Sequence, residues 1–342
     1  MIAMLALLFV GPNLIELPML AEAISGDGKT IVGISKEFEG IVRHSDGSIR
    51  KLTCPPGTSH AKPTGVSDDG ETIVGFVRDS GHYKICLWKS DERALVIDST
   101  EVIFKYPMIS GDGTTACYKK IITAERNNTI TSDQTKTWTQ TGGISIVPHN
   151  IMGFSRNGMI QVGYEPHHNY TPPVSNILIE NLHTGKSRRD NTDTVAMIWE
   201  RGKEATRIGI PKTSWASYAH SCNFDGSVVA GSYSTEHGHR PFLWSKDKGL
   251  RTLAVEDGKL SLNDAILSSN GRYFFTNEET GSTSIALVWI DEVGPSRVID
   301  EAVKRGLEIS LKRPLQHVTG VSADGRSIIG YNSNQLSWLL TW

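Results

Sequence analysis

Apolar and polar residues alternate along this chain in short runs, and a turn of the type Ser-x-Asp-Gly breaks the runs again and again. The segment GVSDDGETIVG at 65–75 returns as GVSADGRSIIG at 320–330. Self-similarity at a fixed period decides the fold class before any single motif does. The copies are AISGDGKTIVG (23–33), GVSDDGETIVG (65–75), MISGDGTTACY (108–118), GFSRNGMIQVG (153–163), SCNFDGSVVAG (221–231), ILSSNGRYFFT (266–276) and GVSADGRSIIG (320–330), seven in all.

Aligned, the copies form columns. One column is glycine throughout: Gly28, Gly70, Gly113, Gly158, Gly226, Gly271 and Gly325. Asp or Asn precedes it, at Asp27, Asp69, Asp112, Asn157, Asp225, Asn270 and Asp324, and three before it stands Ser or, once, Asn223. Asp-Gly and Asn-Gly between β-type runs predict a hairpin, because both residues tolerate the positive φ of tight turns. The short side chain three before the glycine can brace such a turn. Four residues after it come Val32, Val74, Cys117, Val162, Ala230, Phe275 and Ile329; four before it come Ile24, Val66, Ile109, Phe154, Cys222, Leu267 and Val321. Both apolar columns are expected to be buried.

A third alternating run follows each hairpin and ends in tryptophan at Trp88, Trp138, Trp199, Trp244, Trp289 and Trp342. A polar turn and a fourth short strand come next, as in WSKDKGLRTL (244–253). Four strands per unit of about 45 residues is the signature of a propeller blade. The chain therefore predicts one all-β domain over 1–342, a seven-bladed β-propeller of four-stranded antiparallel blades. Its units run roughly 20–60, 61–103, 104–149, 150–215, 216–260, 261–315 and 316–342 plus 1–19, with a long insertion at 164–194 in blade four.

The last unit ends at its third strand, and LIELPM (14–19) reads as a fourth strand with no first three of its own. Pairing the two closes the ring and removes the open edges an unfinished one would expose. Unit one carries Arg43 or His44 where tryptophan is expected and is the weakest match. DEAVKRGLEI (300–309) reads as a short helix between blades.

Net charge is −2 at a sequence pI of about 6.6, with no long basic run. That disfavours nucleic acid as a partner. The opening MIAMLALLFV has no basic residue ahead of it and no small-residue cleavage site after it, so it reads as structure rather than as a leader; it is too short to span a bilayer. Of the four cysteines, Cys86, Cys117 and Cys222 fall at apolar positions of the repeat and read as buried hydrophobes. Cys54 has no near partner, so neither a zinc pattern nor any other metal or cofactor motif is present.

Function is expected where the chain departs from the repeat. In an up-and-down blade the A–B and C–D turns share one face, while the B–C loops and inter-blade connections share the other. The variable segments, 78–83, 119–134, 164–194, 232–240, 277–284 and the helix-bearing link, all fall on that second face. Long loops gathered by a rigid scaffold are the usual site of binding. The candidate ligand-binding residues are His167, His168, Tyr170, Arg188, Arg189, His237, His239 and Arg240. The four histidines make a poor metal set without a carboxylate or an orienting partner. The tryptophan column reads as inter-blade core rather than as a sugar-stacking ladder, and the glycine column as turn structure.

The Ser-x-Asp-Gly stretches resemble the Asp box of sialidases, but here the glycine follows Asp directly and Ile-Val-Gly replaces the closing Trp. No arginine triad or Tyr–Glu pair accompanies them, so sialidase chemistry is unsupported. No GxSxG, HExxH or P-loop occurs. GVSDDGETIVG with ICLW after it, and GVSADGRSIIG, instead resemble the HAF repeat of bacterial extracellular and surface proteins. The likeness spans about 14–342 and is tightest in units two, five and seven. It implies a secreted or envelope-associated propeller. Three functions stay open: a non-enzymatic scaffold binding a protein or glycan; a virion tail or adhesion component; and a glycan hydrolase or lyase using Glu165, Glu180 or Asp193.

Overall fold

The computed structural model describes residues 11–89, 93–102, 106–123, 130–165, 194–212, 214–255, 259–260, 265–280, 283–308 and 315–342. They form a seven-bladed β-propeller. Blade one holds β2 (Leu20–Ile24), β3 (Thr30–Ile34), β4 (Gly40–His44) and β5 (Ile49–Lys51); blade two holds β6 (Ser59–Val66), β7 (Ile73–Asp79), β8 (His82–Trp88) and β9 (Ala94–Thr100). Blade three runs from β10 (Met108–Ile109) through β11 (Thr115–Thr123) and β12 (Ile130–Thr139) to β13 (Gly143–Val147). Blade four runs from β14 (Asn150–Phe154) through β15 (Ile160–Glu165) and β16 (Val195–Glu200) to β17 (Thr206–Gly209). Blade five comprises β18 (Ala216–Cys222), β19 (Val228–Thr235), β20 (Gly238–Ser245) and β21 (Gly249–Thr252). Blade six comprises β23 (Ile266–Leu267), β24 (Tyr273–Thr280), β25 (Thr283–Ile290) and β26 (Val293–Arg297), and the extra β22 (Lys259–Leu260) lies between these two blades. Blade seven supplies β27 (His317–Val321), β28 (Ser327–Tyr331) and β29 (Ser337–Thr341), and β1 (Asn13–Glu16) pairs antiparallel with β29 to complete it. The closing strand is thus two residues shorter than the sequence pattern suggests.

The A–B turn differs from a two-residue hairpin. In blade one the strands stop at Ile24 and resume at Thr30; Gly28 takes φ 73° while Asp27 stays out of the left-handed region. Asp27 works through its side chain, accepting from Ser25 Oγ at 2.6 Å and Lys29 N at 2.9 Å, while Ser25 Oγ accepts Thr30 N at 2.9 Å. The same set recurs from Ser67–Asp69 to Ser322–Asp324, and in blade five Asn223 Oδ1 replaces the serine in holding Val228 N. These are Asx-type turns that satisfy backbone groups otherwise left unpaired.

The turns also bond to one another. Asp27 N donates to Asp68 O, Asp68 N to Gly111 O, Asp112 N to Arg156 O, Arg156 N to Phe224 O, Phe224 N to Ser269 O, Asn270 N to Ala323 O, and Ala323 N to Gly26 O. That chain of bonds crosses every blade junction and returns to its start. It makes the turn face a closed girdle around the axis. First strands of neighbouring blades touch at six junctions, which places them innermost.

A second glycine column has a separate cause. The first strands of blades one, two, four, five and seven each carry a β-bulge, at Glu22, Thr64, Met152, His220 and Thr319. Those same blades have glycine opposite, at Gly33, Gly75, Gly163, Gly231 and Gly330, where a Cβ would run into a carbonyl of the bulged strand. The blades without this bulge put Tyr118 and Thr276 there. A strand glycine of this kind marks close backbone approach.

Of the two apolar columns, the one after the glycine is buried throughout, from Val32 at 0% exposure to Cys117 at 2%. The one before it is not: Ile24, Cys222 and Leu267 are buried, whereas Val66, Ile109, Phe154 and Val321 are half-buried. These lie on the innermost strand, which has no further strand to cover it. In the tryptophan column Trp88 and Trp289 are buried, packing against Val32, Val42 and Leu52 and against Ala230, Leu243 and Leu267 respectively. Trp138, Trp199, Trp244 and Trp342 are half-buried; Trp138 rests on Val74 and Leu87 of blade two, and Trp199 stacks on His149 at 3.8 Å. The cysteine thiols are free; burial pushes Cys86 and Cys222 up to about 12, which keeps them protonated.

Polar links reinforce the junctions. Asp98 of β9 is half-buried; burial alone would raise its pKa, but donors from Lys120 (2.8 Å), Ser99 N (2.8 Å), Lys136 (3.0 Å) and Tyr118 (2.9 Å) hold it down at about 2. Buried Asn277 of β24 bonds both backbone groups of Val318, at 2.9 and 3.2 Å. The helix α1 (Val298–Lys304) starts two residues earlier than the sequence pattern and buries Val298 and Ala302 between blades six and seven.

Candidate ligand-binding face

The two mouths of the axis are built differently. On the turn face Asp68, half-buried, reaches between Gly26 and Gly111, meets Arg156 Nε at 3.1 Å, and Arg156 in turn lies 5.3 Å from the centre of the Phe224 ring. Burial raises the Asp68 pKa; Arg156 opposes this, while Asp69, Asp112 and Asp27 add to it. These side chains cross the girdle of turns. On the loop face the inner wall carries Glu22 and Lys62, 2.9 Å apart, with Lys62 also 3.0 Å from the Tyr106 hydroxyl. Burial pulls Lys62 down, but Tyr106 and Glu22 outweigh it, so the amine stays charged.

A second group of polar and aromatic side chains on the loop face lies at the junction of blades four and five. The blade-four insertion leaves the end of β15 at Glu165 and returns at Thr194. Thr194 bridges to Ala216 of β18, and Ser217 N donates to its carbonyl at 2.8 Å, so the returning root is tied to the next blade. Beside it Tyr164 and Tyr218 meet edge to face at 5.2 Å. Burial raises the Tyr218 pKa, and its hydroxyl interacts with Thr194 and Ser234. Ser234 Oγ also lies 3.2 Å from His239 Nδ1, and His220 Nε2 lies 2.9 Å from Ser232 Oγ.

The sequence-derived candidates divide accordingly. His237 sits exposed at the tip of the β19–β20 hairpin, 3.4 Å from Glu236. His239 turns inward to Ser234, and burial lowers it to about 4, so it is a neutral imidazole in the wall rather than a group offered to solvent. Arg240 pairs across the hairpin with Tyr233 and is half-buried. His167, His168, Tyr170, Arg188 and Arg189 lie outside the described residues, as do Glu180 and Asp193; Glu165 is the end of β15, opposite Val195. Among the described residues no three His, Cys, Asp or Glu gather as a metal site, and no helix is long and apolar enough to cross a membrane.

Sequence reasoning missed Trp215. It stands outside the tryptophan column, in the PKTSW segment leading into β18, and is 43% exposed beside the insertion root. Its being out of register was the available signal. Tyr218 and Ser234 were masked by their strands, whose pattern says only that they are β.

No family model matches the chain, and no curated protein does. Solved structures do. The chain is similar to TolB from Acinetobacter baumannii (12% identity, 98% of this chain and 64% of that one, TM-score 0.45) and to the β-propeller domain of the Trilobed protease from Pyrococcus furiosus, described as having an open velcro topology (12%, 92% and 90%, 0.55). It is also similar to the acylaminoacyl peptidase of Pyrococcus horikoshii (15%, 88% and 46%, 0.53). The chain spans less than two thirds of TolB and under half of that peptidase. At these identities the likeness concerns the fold alone.

Proposed function

We propose that this chain is a non-enzymatic binding propeller, displayed on or outside a bacterial envelope, that holds a protein or glycan ligand on its loop face. The observation that carries the reading is the asymmetry of the two faces. The turn face spends its backbone groups on a closed girdle and has Asp68, Arg156 and Phe224 across it. On the loop face the second and third strands of blades two, five and six run on into hairpins that close at Asp79–His82, Thr235–Gly238 and Thr280–Thr283, and the long insertion is rooted beside Tyr218. A rigid scaffold that carries extended hairpins and a long insertion on one side only is suited to recognition. The envelope location follows the resemblance to the HAF repeat.

The test is a screen of envelope polymers, glycans and extracted proteins against the parent and a variant in which 166–193 is replaced by a short Gly/Ser turn. Binding by the parent that the variant loses supports the loop face. Binding that survives the replacement, or turnover of a glycan by the pure protein, refutes the reading.

A further inference from the structure

Each blade ends at the rim of the propeller in a strand whose outer row of N–H and C=O groups has no neighbouring strand, and such an edge pairs with any compatible strand unless something blunts it. The rim strands are β1, β5, β9, β13, β17, β21 and β26. Six of them carry a charged residue or a proline, the usual means of blunting: Glu16, Lys51, Asp98, Arg207, Arg251 and Pro295. The remaining one, β13, reads Gly-Ile-Ser-Ile-Val, with neither. Its first four residues are all exposed, Ile144 at 43% and Ile146 at 61%.

The stretch without charge runs well past the strand. No Asp, Glu, Lys or Arg occurs between Lys136 and Arg156, in a chain where 21% of residues are charged. His149 lies in that stretch, and burial lowers its pKa, which keeps the ring neutral at pH 7. Lys136 stands opposite Ile146 on β12, but its amine is taken up by Asp98 at 3.0 Å. The edge therefore offers a partner backbone groups and β-branched side chains, and no charge.

Those backbone groups name a β-strand as the occupant, and the missing charge names which strand. Antiparallel pairing about a two-fold axis sets each residue near the axis opposite itself or a close neighbour, so a charged edge meets its own charge on the copy. Lys51 would do so on β5, and Arg207 on β17. β13 meets none. Ile144 and Ile146 share one side of the strand, so an axis at Ser145 brings the isoleucines of the two copies together across the seam.

We propose that β13 is a self-association edge: two copies of the chain join antiparallel through it, Ser145 opposite Ser145 and Ile144 opposite Ile146, and the two third blades become one continuous sheet. With the other rim strands blunted, association stops at two. The inference concerns the rim and does not rest on the loop-face reading.

The experiment is sedimentation velocity on the parent, Ser145→Lys, Ser145→Glu and an equimolar mixture of the two variants. Five residues of pairing make a small interface, so the parent is expected to form a weak dimer, and nothing larger, between about 1 and 300 µM. Each variant alone should dimerise at least about 10-fold more weakly, because like charges then meet at the axis, and the mixture should return to within about threefold of the parent. Ser145 is exposed, so the circular dichroism of both variants should match the parent's. A parent that stays monomeric across that range overturns the proposal and leaves the edge to a strand of another protein. A dimer that Ser145→Lys leaves within about threefold of the parent, a ladder of larger species, or a loss that mixing the two variants does not restore overturns it as well.

Discussion

Replacing Gly163 with alanine tests the account of the second glycine column. Gly163 lies on β15 opposite Ile151, beside the bulge at Met152. A Cβ built there stands 2.9 Å from the carbonyl carbon of Asn150 and 3.1 Å from Ile151 Cα, and nearer still to the Asn150 oxygen. All three are backbone atoms, so no rotamer change relieves the contact; the bulged strand must move. Gly163 is not in the left-handed region, so alanine faces no φ penalty and would even gain about 0.5–1 kcal/mol from a stiffer unfolded chain. Overpacking costs about 1–3 kcal/mol when side chains can adjust, and more when they cannot. The expected net loss is about 2 kcal/mol or more. At roughly 2.1 cal/mol/K per residue, a chain of 342 residues has an unfolding entropy of about 0.7 kcal/mol/K, which makes this a fall of about 3 °C or more. Urea titration followed by tryptophan emission reads it, with Gly11→Ala as control, since nothing lies within 4 Å of a Cβ there. If Gly163→Ala stays within about 0.5 kcal/mol of that control, carbonyl approach is not why the column is glycine.

Asn277→Ala strands both backbone groups of Val318 at the blade six–seven junction and should cost about 2–4 kcal/mol in denaturant unfolding; a loss under about 0.5 kcal/mol would mean water replaces the amide. Asp98→Asn should cost about 1–3 kcal/mol at pH 7. Because Asp98 is held at about 2 in the fold, its contribution is present above the ordinary carboxylate range and lost between about pH 4 and pH 2, so the gap between variant and parent should close there. Asp68 has the opposite sign: its raised pKa means the fold disfavours its charge, so its ionisation weakens the protein as pH rises through the carboxylate range. Asp68→Asn should be at least as stable as the parent at pH 7, with the advantage vanishing in acid; a variant clearly less stable at pH 7 would show that the Arg156 pair dominates.

The number of blades was legible in residues 23–33 and their six relatives, because turn chemistry is local, and the joining of the two chain ends in LIELPM (14–19) and a last unit that stops at its third strand. A serine, an aspartate and a glycine within four residues make the same Asx-type turn wherever they occur, and the alternation on either side sets which face is covered. Even there the division of labour was hidden: Asp27 serves through its carboxylate and Gly28 through its φ. What the tertiary structure alone decided depends on residues far apart in the chain. Gly163 needs the carbonyl of Asn150, Asp68 needs Arg156 two blades on, and His239 becomes a neutral wall residue because Ser234 and the body of blade five take it out of water. Trp215 shares its letter with seven core residues, and only the packing of blades four and five leaves it at the surface. Period and turns are written residue by residue, whereas exposure, charge state and close approach belong to neighbours that meet only when the ring closes.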